Sequence, residues 1–254
     1  MKFAQNAGFK QGNAFSSKKN PRNTKIPRNF ASFIWKISLR CKLFHFIGAN
    51  MIKDFYMATE KPEKMDMEHM LHLKNIYLAP YMQIATNLIG KRRFAGGNMF
   101  RHQIDTMAIL VDYGYIDSVL LKASCVHDVI EDIPGFNPDI IKNADEEGPE
   151  VLRLVNEVTK KPGQIKSDYL KEIIDHGSPK AKILKCADRI SNMISLGFVT
   201  SAEFIERYCD ETEYFIMPIA LEVDYNMYKE LLDLVVSRRT YLEASGYFAR
   251  KPDD

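Results

Sequence analysis

Cys125-Val126-His127-Asp128-Val129-Ile130-Glu131-Asp132 decides the reading of this chain. The residues before it, DSVLLKASCV at 117–126, are mostly apolar, and no Pro or Gly interrupts until Pro134-Gly135. That pattern predicts one buried helix running to about Ile133. Helical residues four apart lie one above the other, so His127 is expected over Glu131 and Asp128 over Asp132. Three carboxylates beside an imidazole in an apolar setting are costly unless a cation or ion pairs offset them. Imidazole with carboxylate is a ligand mix suited to Mn, Fe, Zn or a similar divalent ion. A metal therefore explains the cluster better than a solvated acidic helix end does.

Working outward, the 254 residues allow one large domain, or one domain and a tail. With 46% hydrophobic and 27% charged residues, the composition is that of a soluble globular protein. The net charge of +2 hides an asymmetry, because residues 1–50 hold ten Lys or Arg and no Asp or Glu, whereas the rest holds 25 basic and 33 acidic residues. Residues 1–30 show no sustained period and read as disordered. Residues 31–48 are apolar but broken by Lys36, Arg40, Lys42 and His45, which excludes a membrane span and argues against a secretory signal. A basic extension over 1–56 is thus expected ahead of a body at 57–254 whose core covers about 68–245. The extension reads as a transit peptide, as a surface-binding arm, or as sequence upstream of a true start at Met51 or Met57, with the last favoured. Its charge alone is weak grounds for nucleic-acid binding, and none is expected.

Cys41, Cys125, Cys186 and Cys209 are scattered without a CxxC pair, which fits a reducing cytoplasm and argues against a zinc ribbon or disulfide framework. Cys125 and Cys186 read as core filler.

The remaining elements are helical in pattern. Met67, Met70, Leu71, Ile76 and Leu78 are core candidates, Pro80 breaks or starts a helix, and His69 and His72 read as ordinary helix histidines. Residues 91–102 (KRRFAGGNMFRH) form a basic glycine-containing loop able to present cations and N–H groups to phosphates. A helix follows and stops at Gly114. Further helices are expected at 149–160, with an apolar stripe of Val151, Leu154, Val155 and Val158, and at 167–177, capped by Ser167. Ser178 and Pro179 start another, which buries Ile183, Leu184, Ala187, Ile190 and Met193 and carries Asp188 and Asn192 four apart. An acid on that inner face wants a partner, either the metal cluster or Lys185 and Arg189. Two longer helices, about 201–216 and 218–244, complete an all-α body without strands or repeats.

Taken together, His102, His127-Asp128-Val-Ile-Glu131-Asp132, and Lys185-Cys-Ala-Asp188-Arg189-Ile-Ser-Asn192-Met193 resemble the HD-domain metal-dependent phosphohydrolases. The finer resemblance, over about 68–245, is to the RelA/SpoT-type alarmone hydrolase branch, whose patterns look like HDxxED and KxADRxxNM. The resemblance implies an HD-domain helical bundle in the small, hydrolase-only form. It implies one Mn²⁺, or another divalent transition metal, on His102, His127, Asp128 and Asp188. Glu131 and Asp132 would orient or deprotonate the attacking water. Arg93, Asn192 and Ser195 fall where the family contacts its nucleotide, Ser195 standing for the usual Thr. The implied activity is cytoplasmic hydrolysis of the 3′-pyrophosphate of ppGpp or pppGpp. The first motif departs from the family's R-x-x-S-G-x-P-Y-x-x-H-P: Phe94 stands where a basic residue is often found, Gln103 replaces the final Pro, and Ile133 replaces a Thr. These changes motivate an alternative substrate, another nucleotide or cofactor phosphate. A non-catalytic nucleotide-binding module is a third reading, disfavoured by the retained Glu131 and Asp132.

Overall fold

Pro179, at the first turn of the 17-residue helix Pro179–Ser195, opens the element on which the others pack. Its start follows from the chain: Ser178 accepts a hydrogen bond from the Ala181 amide at 3.2 Å, and proline has no N–H to leave unsatisfied there. The computed structural model describes residues 67–247; the expectations for residues 1–56, Cys41 included, lie outside the described residues. In chain order the helices are α1 (Met67–Asn75), α2 (Ala79–Ala85), α3 (Met99–Asp112), α4 (Ser118–Val126), α5 (Val129–Asp132), α6 (Asp139–Lys142), α7 (Gly148–Val158), α8 (Lys166–His176), α9 (Pro179–Ser195), α10 (Ala202–Glu211), α11 (Met217–Val223) and α12 (Tyr225–Ala244). Short 3₁₀ turns follow α2 and α9, and a π-helical turn at Thr212–Ile216 joins α10 to α11. Among the described residues there is no strand, only an isolated bridge between Arg92 and Asn98.

α9 packs against α3, α7, α11 and α12, and α4 packs between α2, α3 and α7. Leu184, Ala187, Ile190 and Met193 of α9 are buried as their spacing requires, joined by Leu120, Leu121 and Val126 of α4. Val151, Leu154, Val155 and Val158 form the buried stripe of α7. Among the described residues no helix is long and apolar enough to cross a membrane.

Several boundaries differ from the sequence reading. The helix expected over 117–133 is interrupted: α4 ends at Val126, His127 and Asp128 form a turn, and α5 resumes at Val129. Met67, Met70 and Leu71 are exposed rather than core, while Ile76 and Leu78 pack against it. α8 begins at Lys166, so Ser167 is inside the helix rather than its cap. The helix expected over 218–244 breaks at Asp224, whose carboxylate accepts from the Asn226 and Met227 amides at 2.7 and 3.1 Å and so starts α12. Periodicity could not register these breaks, because apolar spacing continues across them.

α4 also buries a charge. Lys122 donates to Asp145 at 2.6 Å and to Glu147 at 2.5 Å, and Asp145 accepts from the Tyr81 hydroxyl at 2.7 Å. This knot ties α2 and α4 to the segment leading into α7. Burial works against the Lys122 cation, but Asp145 and Glu147 hold it above its ordinary 10.5. Asp145 is held below its ordinary value although burial opposes this, and Glu147 is lowered by its bonds from Lys122 and Ser118. Groups with lowered folded values stabilise above their unfolded range and lose that contribution as pH falls through the folded values; a raised lysine loses its contribution only above its ordinary range. We expect Lys122→Met to lower the unfolding free energy by about 2 kcal/mol, discounted for the partial exposure of Glu147. Urea titrations should show this difference constant at neutral pH and shrinking as the pH drops below about 4. A difference independent of pH would contradict the account.

Candidate metal and phosphate site

The break after α4 turns His127 and Asp128 toward α3 and α9. Asn98 caps α3 by accepting from the Arg101 amide at 2.9 Å, which places His102 in the first turn of that helix rather than in a loop. Asp188 comes from the middle of α9. His102, His127 and Asp188 are 1%, 3% and 6% exposed, and one ligand atom of each lies within 4.8 Å of the others.

The imidazoles are oriented by their remote nitrogens. His127 Nδ1 donates to the Ser124 carbonyl at 2.8 Å, which leaves Nε2 facing the cluster. That Nε2 is buried and makes no hydrogen bond among the described residues, although Asp128 Oδ2 lies 3.3 Å away. His102 Nδ1 meets Ser191 Oγ at 2.8 Å, and its Nε2 lies 3.0 Å from Asp188 Oδ1 and 3.5 Å from Asp128 Oδ2. An orphaned buried imidazole nitrogen facing carboxylates is a donor set that a divalent cation fits, and the remote hydrogen bonds are those that orient metal-ligating histidines. Asp128, more exposed than the other three, stands beside them, with Oδ2 3.3 Å from His127 Nε2 and 3.5 Å from His102 Nε2.

The electrostatics point the same way. Burial opposes charge on both Asp188 and His127, but Lys185 and the two imidazoles hold Asp188 well below the usual carboxylate range. Asp128 and Asp188 push His127 up to about 9. Such a cluster favours added positive charge, which a divalent cation would supply. Asp188 has both partners considered from its sequence: Lys185 Nζ donates to Oδ2 at 2.7 Å, while Oδ1 faces the histidines.

Asn192, one turn beyond, donates to Asp188 Oδ1 at 2.6 Å and accepts at Oδ1 from Arg93 Nη2, also at 2.6 Å. Arg93 Nη1 donates to Ser195 Oγ at 3.0 Å. The three residues read as nucleotide contacts therefore meet, and they connect to the metal candidates through Asn192. The carboxylates Glu131 and Asp132 diverge. Asp132 takes Lys91 Nζ on its carboxylate at 2.5 Å and on its carbonyl at 3.0 Å. Glu131 turns to the loop after α7, accepting from the Lys160 amide at 3.2 Å. The stacking of His127 over Glu131 expected on a continuous helix does not occur, because the chain turns between them.

Two contributors escaped the sequence reading. Gln103 is buried, donates to Asp128 Oδ2 at 2.9 Å and accepts from the Asp128 amide at 3.5 Å. Ser191 orients His102. Their only signal was adjacency: Gln103 follows His102, and Ser191 precedes Asn192. Cys125 and Cys186 are buried free thiols as expected, with burial pushing Cys125 up to about 12. His69 and His72 lie on α1 and take no part in the cluster.

No family model matches the chain. Among curated proteins, it is 30% identical over 120 residues to guanosine-3′,5′-bis(diphosphate) 3′-pyrophosphohydrolase MESH1 of Mus musculus, and 32% identical over 120 residues to its Homo sapiens counterpart. Each match covers 46% of this chain and spans 65% of the relative's own length. Among solved structures, one described as a metazoan orthologue of SpoT that hydrolyses ppGpp and plays a role in starvation responses superposes with a TM-score of 0.54. That match has 23% identity and covers 68% of this chain and 96% of the other. The described body of the chain therefore has the all-α HD-domain fold.

Proposed function

We propose that this protein is a Mn²⁺-dependent hydrolase that removes the 3′-pyrophosphate of ppGpp or pppGpp, with water giving GDP or GTP and pyrophosphate. The observation that carries the reading is the convergence of His102, His127 and Asp188, with His127 Nε2 buried and without a hydrogen bond, two hydrogen bonds from Arg93 through Asn192. The activity in the names of the two curated relatives supports the choice of substrate.

His102, His127, Asp128 and Asp188 would hold the ion; their nitrogen and oxygen donors suit Mn²⁺ and also Fe, Co or Zn. Lewis-acid polarisation of a phosphoryl oxygen and a lowered pKa for the attacking water are what a divalent ion supplies when bound. Gln103 and Ser191 fix the directions of Asp128 and His102. Glu131 and Asp132 would orient the water and accept its proton, and Lys91 holds the Asp132 carboxylate in one direction. Arg93, set by Asn192 and Ser195, meets the phosphates with a planar pair of N–H groups. We assign this chemistry to the body at 57–254, with 1–56 as a basic extension, and to a reducing cytoplasm, which suits the free buried thiols of Cys125, Cys186 and Cys209. Phe94, apolar where the family often carries a base, favours a second reading in which the phosphate belongs to another nucleotide or a cofactor.

Full-length protein loaded with Mn²⁺ should release pyrophosphate from ppGpp and stop in EDTA. His127→Ala and Asp128→Ala should lose both bound Mn²⁺, measured by elemental analysis, and turnover. Glu131→Gln should keep the metal while turnover falls about 100-fold or more. Release that persists in EDTA would sink the metal assignment, and an inert Mn²⁺-loaded protein would sink the choice of substrate.

A further inference from the structure

The turn that carries Arg93 also presents an aromatic ring to solvent. Gly96 and Gly97 take φ of 89° and 73°, a left-handed region that side chains disfavour, and the Gly96 amide donates to the Arg93 carbonyl at 3.1 Å. This tight reversal holds up Phe94, which is 70% exposed. The ring is nevertheless braced. Its centroid lies 4.9 Å from that of Phe204 on α10, and Phe204 stacks on Tyr208 at 5.7 Å with an interplanar angle of 18°. Tyr208 is in turn covered by the buried Arg189 guanidinium at 4.2 Å, and Arg207 lies 5.4 Å from the Phe204 centroid. The row is anchored at α9 and open at Phe94.

A second ring borders the same turn. Phe198, 79% exposed, follows Ser195 by three residues, and its Cβ lies 4.0 Å from where a Cβ on Gly96 would stand. A single exposed phenylalanine is ordinary. Here two of them flank the loop whose guanidinium reaches Asn192 and Ser195, and exposed apolar surface beside convergent polar groups marks a ligand site.

We propose that Phe94, braced by Phe204 and Tyr208, is a stacking platform for the base of a nucleotide whose phosphates reach Arg93. Stacking uses the π face that every base has, so the platform grips the base without hydrogen-bond readout, and Arg207 beside the row adds a cation–π contribution. The inference rests on the reading of this site as a phosphohydrolase centre only in taking the ligand to be a nucleotide.

Isothermal titration of the Mn²⁺-loaded full chain with GDP, and separately with inorganic pyrophosphate, tests it. Phe94→Ala should weaken GDP about tenfold, within the range for one stacked base, and change pyrophosphate affinity less than twofold. Phe94→Trp should restore GDP affinity, and its indole emission should be quenched by GDP, with Trp35 the chain's only other tryptophan. Unchanged GDP affinity in Phe94→Ala, an equal loss for pyrophosphate, or absence of GDP binding to the unaltered protein would overturn the platform. Tight, Phe94-dependent GDP binding by a protein that leaves ppGpp intact would sink the proposed reaction and leave the platform standing.

Discussion

A carboxylate buried in the middle of the central helix is the constraint on which the rest of the structure turns. Asp188 ionises deep in the protein only because Lys185 donates to one oxygen while His102 and Asn192 crowd the other. Each partner comes with obligations. His102 needs Ser191 for its second nitrogen, Asn192 takes Arg93, and Arg93 pins the 93–97 turn over the C-terminal end of α9. A buried charge without these neighbours would cost several kcal/mol, so fold and site stabilise each other at this point.

The next residue of α9 repeats the problem with the opposite sign. Arg189 is fully buried, pairs with Glu211 at 2.5 Å, donates to Thr212 at 3.1 Å and lies over Tyr208. Thr212 starts the π-helical turn after α10, so the arginine ties the wider winding there to the central helix. Helical neighbours point about 100° apart. One residue pair thus sends a negative group to the side of His102 and His127 and a positive group to the α10 side.

The break at His127-Asp128 is the second device. A continuous helix would stack His127 over Glu131 and Asp128 over Asp132. With the turn, the imidazole and Asp128 face α3 and α9, while Asp132 is taken by Lys91 and Glu131 by the loop after α7. Carboxylates that would repel one another at one point are thereby separated, Asp128 and Asp188 beside the imidazoles, Asp132 against Lys91 and Glu131 against the Lys160 amide.

How much of this was legible beforehand depends on whether the information is local. The helices of the body, the Ser178-Pro179 start, the stripe on α7 and the candidacy of His127, Asp128 and Asp188 follow from spacing and residue type, because helical periodicity and ligand chemistry are properties of short segments, whereas His102 is singled out only through resemblance to a known pattern. The same resemblance singles out Arg93, Asn192 and Ser195 one by one, but their hydrogen bonds to one another belong to tertiary structure. The exposure of Met67, Met70 and Leu71 did not follow, since an apolar residue is buried only if another element covers it. Nor did the role of Gln103, whose amide acquires meaning when a turn 25 residues later brings Asp128 to it. The break after Val126 likewise belongs to tertiary structure: the apolar pattern runs on unbroken, whereas the contacts of His127 and Asp128 with α3 and α9 join residues far apart in the chain.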